Sequence, residues 1–141
     1  MPAVFDLPHT VRDDEIDDQG HVNNVHYVGW MQSAAVEHSS VQGWPPQRYI
    51  DQGGGWVARS HFIEYLLPAF AGEQIVVRTW VSDFKKITSL RKYKIIRLHD
   101  DKLLAVAETN WAFIGLKHRV PRRIPPELAE AFEIVPAENE P

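Results

Sequence analysis

The sequence predicts an α+β domain in which one long apolar helix near the N-terminus is covered by about five antiparallel strands. Three observations predict it. The stretch from Asn23 to Gly43 carries Val25, Val28, Trp30, Met31, Ala34, Ala35 and Val36, apolar on more than one stripe of a helix, which is the pattern of a buried one. Beyond it lie four long segments rich in Val, Ile, Thr, Trp and Tyr, joined by short turns such as Asp100-Asp101. The chain has 141 residues, enough for one sizeable core and too few for a second ordinary domain.

Taken in order, residues 4–15 read as a first strand, bent at Pro8 because proline cannot donate to a ladder. The carboxylates of Asp13, Asp14, Glu15, Asp17 and Asp18 follow, gathered where the dipole of an oncoming helix favours negative charge. Asn23 or Asn24 caps that helix, and Gly43 before Trp44-Pro45-Pro46 stops it. A loop through Gly53-Gly54-Gly55 leads to strands at 56–67, 73–84, 87–98 and 102–116. In the last, Leu103, Ala105, Ala107, Thr109, Trp111 and Phe113 share one face, with small and aromatic side chains suited to packing on a helix. A short helix over 126–132 closes the domain at residue 135, and 136–141 form a frayed tail.

Composition narrows the function classes. The chain is 44% hydrophobic, 11% aromatic and 24% charged, the make-up of a folded protein. A net charge of −4 argues against nucleic-acid binding through a strongly basic surface. The absence of cysteine removes disulfides, thiolate metal sites and a cysteine nucleophile. No basic start precedes an apolar segment at the N-terminus, and no run of about 18 apolar residues occurs, so no membrane span and a soluble, cytoplasmic protein are expected.

Chemistry concentrates at residues 15–25. A helix start offers unpaired N–H groups and a partial positive charge, which together can hold a developing oxyanion beside a carboxylate. The backbone amides of Asn24 and Val25 fall where those first N–H groups point. Other chemistries fail on spacing. There is no G-x-S-x-G elbow for Ser33, Ser39 or Ser40, and no H-E-x-x-H; His21 and His26 lack a third ligand, so no metal is expected. Gly53-Gly54-Gly55 is not followed by G-K-[ST] and reads as a hinge.

The string Asp17-Asp18-Gln19-Gly20-His21-Val22-Asn23-Asn24-Val25-His26-Tyr27 resembles the active-site segment of hotdog-fold acyl-CoA thioesterases of the 4-hydroxybenzoyl-CoA thioesterase-like group. It is also similar to the Asp-x-Asn-x-His-Val-Asn-Asn segment of plant acyl-carrier-protein (ACP) thioesterases. The resemblance continues through Ile63-Glu64-Tyr65-Leu66-Leu67-Pro68 and Arg119-Val120-Pro121-Arg122-Arg123-Ile124-Pro125, and so spans nearly the whole chain. It implies the hotdog fold, a long central helix wrapped by an antiparallel sheet, and self-association as a dimer or tetramer with active sites at subunit contacts.

The resemblance also implies roles. Asp17 matches the catalytic carboxylate, which either attacks the thioester carbonyl or activates a water. His21 matches the histidine of the plant segment, and an imidazole suits proton transfer. Gln19 stands where the plant enzymes have asparagine and Pro68 where they have an acidic group, so His21 is either catalytic or an orienter of the turn. Glu37, inside the helix, is a competing carboxylate of the kind other hotdog thioesterases carry there. Among Lys85, Lys86, Arg91, Lys92, Arg119, Arg122 and Arg123, the pairs Lys85-Lys86 and Arg122-Arg123 are candidates to hold coenzyme A phosphates. The expected activity is hydrolysis of an acyl-CoA thioester, with coenzyme A entering as part of the substrate and no other cofactor. Alternatives are an acyl-ACP thioesterase, a hotdog enoyl-CoA hydratase, whose Asp-x-Asn-Pro-x-His pattern Gln19-Gly20 breaks, and a non-catalytic acyl or coenzyme A binding protein.

Overall fold

The computed structural model describes residues 2–141. Five strands form a single antiparallel sheet: β1 (Val4–Thr10), β2 (Gly54–Tyr65), β3 (Gln74–Phe84), β4 (Thr88–Arg97) and β5 (Lys102–Gly115), in the order β1-β3-β4-β5-β2. Three helices accompany them: α1 (Val25–Val41), α2 (Pro46–Gln52) and α3 (Pro126–Glu130). Among the described residues, no helix is long and apolar enough to cross a membrane.

In the hairpins β3-β4 and β4-β5, the central strand β4 alternates between buried and less buried positions. Along β4, Ser89, Arg91, Tyr93 and Ile95 are buried while Leu90, Lys92, Lys94 and Ile96 are less so. The first strand is shorter than the sequence implies. It ends at Thr10 because the Glu15 carboxylate accepts the Arg12 N–H at 2.9 Å and folds residues 13–15 into a 3-10 turn. Pro8 is tolerated because β1 lies at an edge of the sheet and pairs only with β3.

At its C-terminal end α1 stops as expected. Gly43 adopts φ +93°, its N–H bonds Ser40 O at 3.0 Å, and Trp44 N–H reaches back to Ser39 O at 2.8 Å. That six-to-one and five-to-two pairing satisfies carbonyls the helix leaves open. The burial of α1 differs from expectation, however. Tyr27, Trp30, Met31, Ala34, His38 and Ser39 are buried against the sheet, whereas Val25, Val36 and Val41 are exposed. The helix therefore lies on β1 and β3 by one face and is not wrapped all round within the chain.

Gly53-Gly54-Gly55 is not a hinge. Gly53, at φ +74°, ends α2, a helix where the sequence suggests a loop; Gly54 and Gly55 already belong to β2. A Cβ on Gly54 would sit 2.5 Å from Phe113 Cζ, so close packing requires glycine there. Two apolar clusters result. One, around Met31, Ile75, Tyr93 and Ile95, lies under the N-terminal half of α1; the other joins Trp44, Val81, Phe113, Ile124, Leu128 and Phe132. Residues 136–141 include a 3-10 turn at Ala137–Asn139, and Lys92 Nζ lies 2.6 Å from Glu140 Oε1.

Candidate active site

The segment 16–22 is a closed loop. Ile16 and Val22 pair as an antiparallel bridge, Asp17 N–H donates to His21 O at 2.8 Å, and Gly20 N–H to Asp17 O at 3.0 Å. Gly20 turns the chain at φ +87°, a conformation open to glycine. The loop is tied to the body through Val22 N–H to Ala69 O and Asn23 N–H to Glu15 O, both 2.9 Å.

Its anchor is Glu15, a carboxylate only 2% exposed. Trp30 Nε1 donates to Glu15 Oε2 at 2.7 Å, while His9 Nε2 and Arg12 N–H reach Oε1 at 2.8 and 2.9 Å. Burial by itself pushes this carboxyl up, but the hydrogen bonds from Arg12, His9 and Trp30 outweigh it and hold the group below its ordinary range. One side chain thus joins β1, the 3-10 turn and α1 beneath the loop. In the sequence Glu15 is one acidic residue among five, and no local signal marks it off.

Above that anchor, Asp17, Asp18, Gln19, His21, Asn23 and Asn24 line an open depression of about 410 Å³. Asp17 Oδ1 accepts the Gln19 N–H at 2.9 Å, which fixes the carboxylate, and Oδ2 lies 3.7 Å from His21 Nδ1. His21 Nδ1 also faces Val22 O, and Nε2 faces Gln19 Oε1, each at 3.1 Å. A neutral ring has one N–H and can donate to one of these oxygens at a time. Gln19, the departure from the plant segment, is thereby the residue that steadies the far side of His21.

The helix start is divided between capping and availability. Asn23 Oδ1 accepts the Val25 N–H at 3.1 Å, and Asn23 O accepts the His26 N–H at 3.0 Å, so Asn23 serves as the capping residue. The Val25 amide is accordingly engaged. The Asn24 N–H, which borders the depression, has no hydrogen-bond partner among the described residues. Of the two backbone donors read from the sequence, Asn24 is the one free to bind an oxyanion.

Glu37 is exposed on α1 and borders neither the depression nor the larger cavity described next. The basic residues divide. Lys85, Lys86, Arg122 and Arg123 are exposed and neighbouring, since Ile124 N–H bonds Lys86 O at 3.0 Å and brings the Arg122-Arg123 segment beside the β3-β4 turn. Arg122 Nη1 is held by Gln52 O at 3.0 Å. Arg91, one of the basic residues named from the sequence beside these pairs, is buried on the inner face of β4. The alternation that puts Arg91 in step with Tyr93 and Ile95 was the available signal. Among the described residues, no three His, Asp or Glu side chains converge as metal ligands.

A second, larger cavity of about 560 Å³ lies along the C-terminal half of α1, bounded by Val36, Trp44, Ile50, Trp56, Phe132 and Arg91 among others. Within the chain, the carboxylate site and the roomy apolar space therefore sit toward opposite ends of one helix.

The sequence profile of the family described as the thioesterase-like superfamily matches residues 11–132. Solved structures of the same arrangement include a 1,4-dihydroxy-2-naphthoyl-CoA thioesterase from Synechocystis, 21% identical, covering 91% of this chain and 94% of that one at a TM-score of 0.83. A DHNA-CoA thioesterase from Staphylococcus aureus is 23% identical over 91% of this chain and 87% of that one, with a TM-score of 0.85. An acyl-ACP thioesterase from Bacteroides thetaiotaomicron is 21% identical over 86% of this chain and 50% of that one, with a TM-score of 0.79. At such identities the likeness establishes the fold, which is the hotdog fold.

Proposed function

This chain belongs to the thioesterase-like superfamily, and on that premise we propose that it hydrolyses an acyl-CoA thioester, with Asp17 as the reacting carboxylate. The observation that supports this reading is the depression in which Asp17, His21 and the unpartnered Asn24 N–H converge at a helix N-terminus. The thioester carbonyl oxygen takes the Asn24 N–H. Asp17 Oδ2, the carboxylate oxygen not held by the backbone, either draws a proton from an attacking water or attacks the carbonyl carbon itself. Negative charge then collects on the carbonyl oxygen beside the helix start, where a donor of this kind is worth about 10²–10³ in rate. The C–S bond breaks, the thiolate leaves as coenzyme A and is protonated, and water supplies the second oxygen of the free acid. No other cofactor takes part. His21, steadied by Gln19, keeps the loop and the carboxylate in place.

The resemblance implies a homodimer, and β2 offers an edge for it. This 12-residue strand pairs with β5 on one side only, and Phe62 and Tyr65 on it are exposed. A two-fold pairing of β2 edges sets the α1 helices antiparallel. That arrangement carries the Asp17 depression of one protomer toward the large cavity and basic cluster of its partner, where Lys85, Lys86, Arg122 and Arg123 can meet coenzyme A phosphates.

The test is thiol release from short, medium, long and aromatic acyl thioesters of coenzyme A and of acyl carrier protein, wild type beside Asp17→Asn. Release that falls by several orders of magnitude in Asp17→Asn, with folding intact, is the expected result; undiminished release would remove Asp17 from the mechanism. Acid-quench trapping of an acyl-enzyme separates attack by Asp17 from activation of water.

A further inference from the structure

We propose that the large cavity along α1 receives acyl groups ending in a carboxylate, which Arg91 binds as their counter-ion. The inference rests on the thioester-hydrolase reading and adds a substrate class to it.

Arg91 is 6% exposed, and no ion pair among the described residues includes it. A buried guanidinium without an anion is unusual, because desolvating a charge is costly unless an opposite charge accompanies it. Its neighbours do not supply one. Nη1 donates to His38 Nδ1 at 2.9 Å and to Thr79 Oγ1 at 3.1 Å, which uses both of its hydrogens. His38 is in turn fixed by donating from Nε2 to Pro2 O at 2.9 Å, so the tautomer that accepts from Arg91 is the one built in. The Phe132 ring, 5.7 Å from the Arg91 Cζ, gives partial compensation. Nη2 and Nε have no hydrogen-bond partner among the described residues, and Arg91 borders the cavity.

The cavity supplies the rest of a built site. Trp111 Nε1, on its wall, is buried with no partner in hydrogen-bond geometry among the described residues, and the Tyr93 hydroxyl lies close to both Trp111 and Thr109. Arg91 Nε and Nη2 and Trp111 Nε1 are thus donors without acceptors beside a space walled mainly by apolar side chains such as Val36 and Phe132, with Gln32, Ser39, Tyr49 and Ser89 also bordering it. A ligand that satisfies this set has an apolar middle and a planar anionic end, which a guanidinium fork holds in two-point contact. A monothioester of a dicarboxylic acid has that form. A simple alkyl chain fills the space and leaves the charge alone.

The test uses non-cleavable analogues of coenzyme A in which a methylene separates sulfur from the carbonyl, so binding is read without turnover. Adipoyl, suberoyl and sebacoyl analogues are compared with hexanoyl, octanoyl and decanoyl ones by calorimetry. The expected result is roughly 10- to 100-fold tighter binding of the carboxylated member of at least one pair, as a hydrogen-bonded charge pair supplies. Arg91→Gln removes the preference and Arg91→Lys keeps part of it. Equal or weaker binding of every carboxylated analogue to wild type overturns the proposal, whether or not the variants fold. A preference that survives in folded Arg91→Gln overturns the assignment to Arg91. The matching true thioesters separate the two readings: selective binding without cleavage sinks the hydrolase and leaves the pocket, while cleavage without selectivity does the reverse.

Discussion

Protonating His38 should destabilise this protein in a definable pH window. The ring is 1% exposed, stacked on Phe5 of β1 with centroids 5.4 Å apart, and met edge-on by Phe132 at 5.2 Å. Arg91 of β4 faces it at 2.9 Å, and no carboxylate forms an ion pair with it among the described residues. Burial first, and the Arg91 charge second, lower its pKa from 6.5 to about 4, against a smaller opposing effect of the Pro2 carbonyl. The unfolded chain therefore binds a proton that the folded chain refuses. Stability is fully present above pH 6.5 and is lost as pH falls toward 4, by about 2 kcal/mol between pH 7 and pH 5. Glu15 acts lower down: its depressed pKa gives stability present above the ordinary 4.5 and lost only as pH falls further. Urea unfolding at pH 7, 6 and 5, at fixed protein concentration, isolates His38. Wild type should lose about 2 kcal/mol over that range, whereas His38→Asn should start less stable and lose far less. Parallel losses in the two proteins would refute the assignment of the slope to His38.

Two further outcomes follow from packing. Trp30→Phe removes the 2.7 Å hydrogen bond to the buried Glu15 carboxylate, and should lower unfolding free energy by about 2–4 kcal/mol in urea titrations while also reducing turnover through a looser loop. Gly54→Ala drives a methyl to 2.5 Å from the Phe113 ring; a loss of about 1–3 kcal/mol, seen as a lower melting temperature, is expected, and an unchanged melt would contradict the close approach.

What could be read from the sequence depended on how many residues carried each signal. β3, β4 and β5 are each ten or more residues long and carry β-branched and aromatic side chains, and they fall within about a residue of where the sequence puts them; only β4 alternates strictly between more and less buried positions. By contrast α2 has seven residues and buries none, so it leaves no periodic trace, although Pro46 and Gly53 mark its ends. The span of α1 was legible, but its surroundings were not, because Val25, Val36 and Val41 look like core in a sequence and face outward in one chain. For the site, the turn at Gly20 and the asparagines at the helix start follow from local rules, whereas Asp17 stands out from its acidic neighbours only through the resemblance. The roles of Glu15 and Arg91 arise from contacts across 15 and 53 positions, Trp30 with Glu15 and Arg91 with His38, which no local window contains.

The separation of the Asp17 loop from the large cavity has a bearing on how such a protein diversifies. Residues 15–24 form a knot held by its own backbone, by Glu15 and by the Val22 N–H to Ala69 O bond, while Val36, Ile50 and Phe84 border the cavity and take no part in that knot. If that cavity takes the acyl group as proposed, substitutions at those wall positions redraw which acyl groups are admitted without disturbing the carboxylate or the helix start. On the proposed function, reaction and selectivity are then inherited on different residues, and a lineage can change its diet while keeping its chemistry.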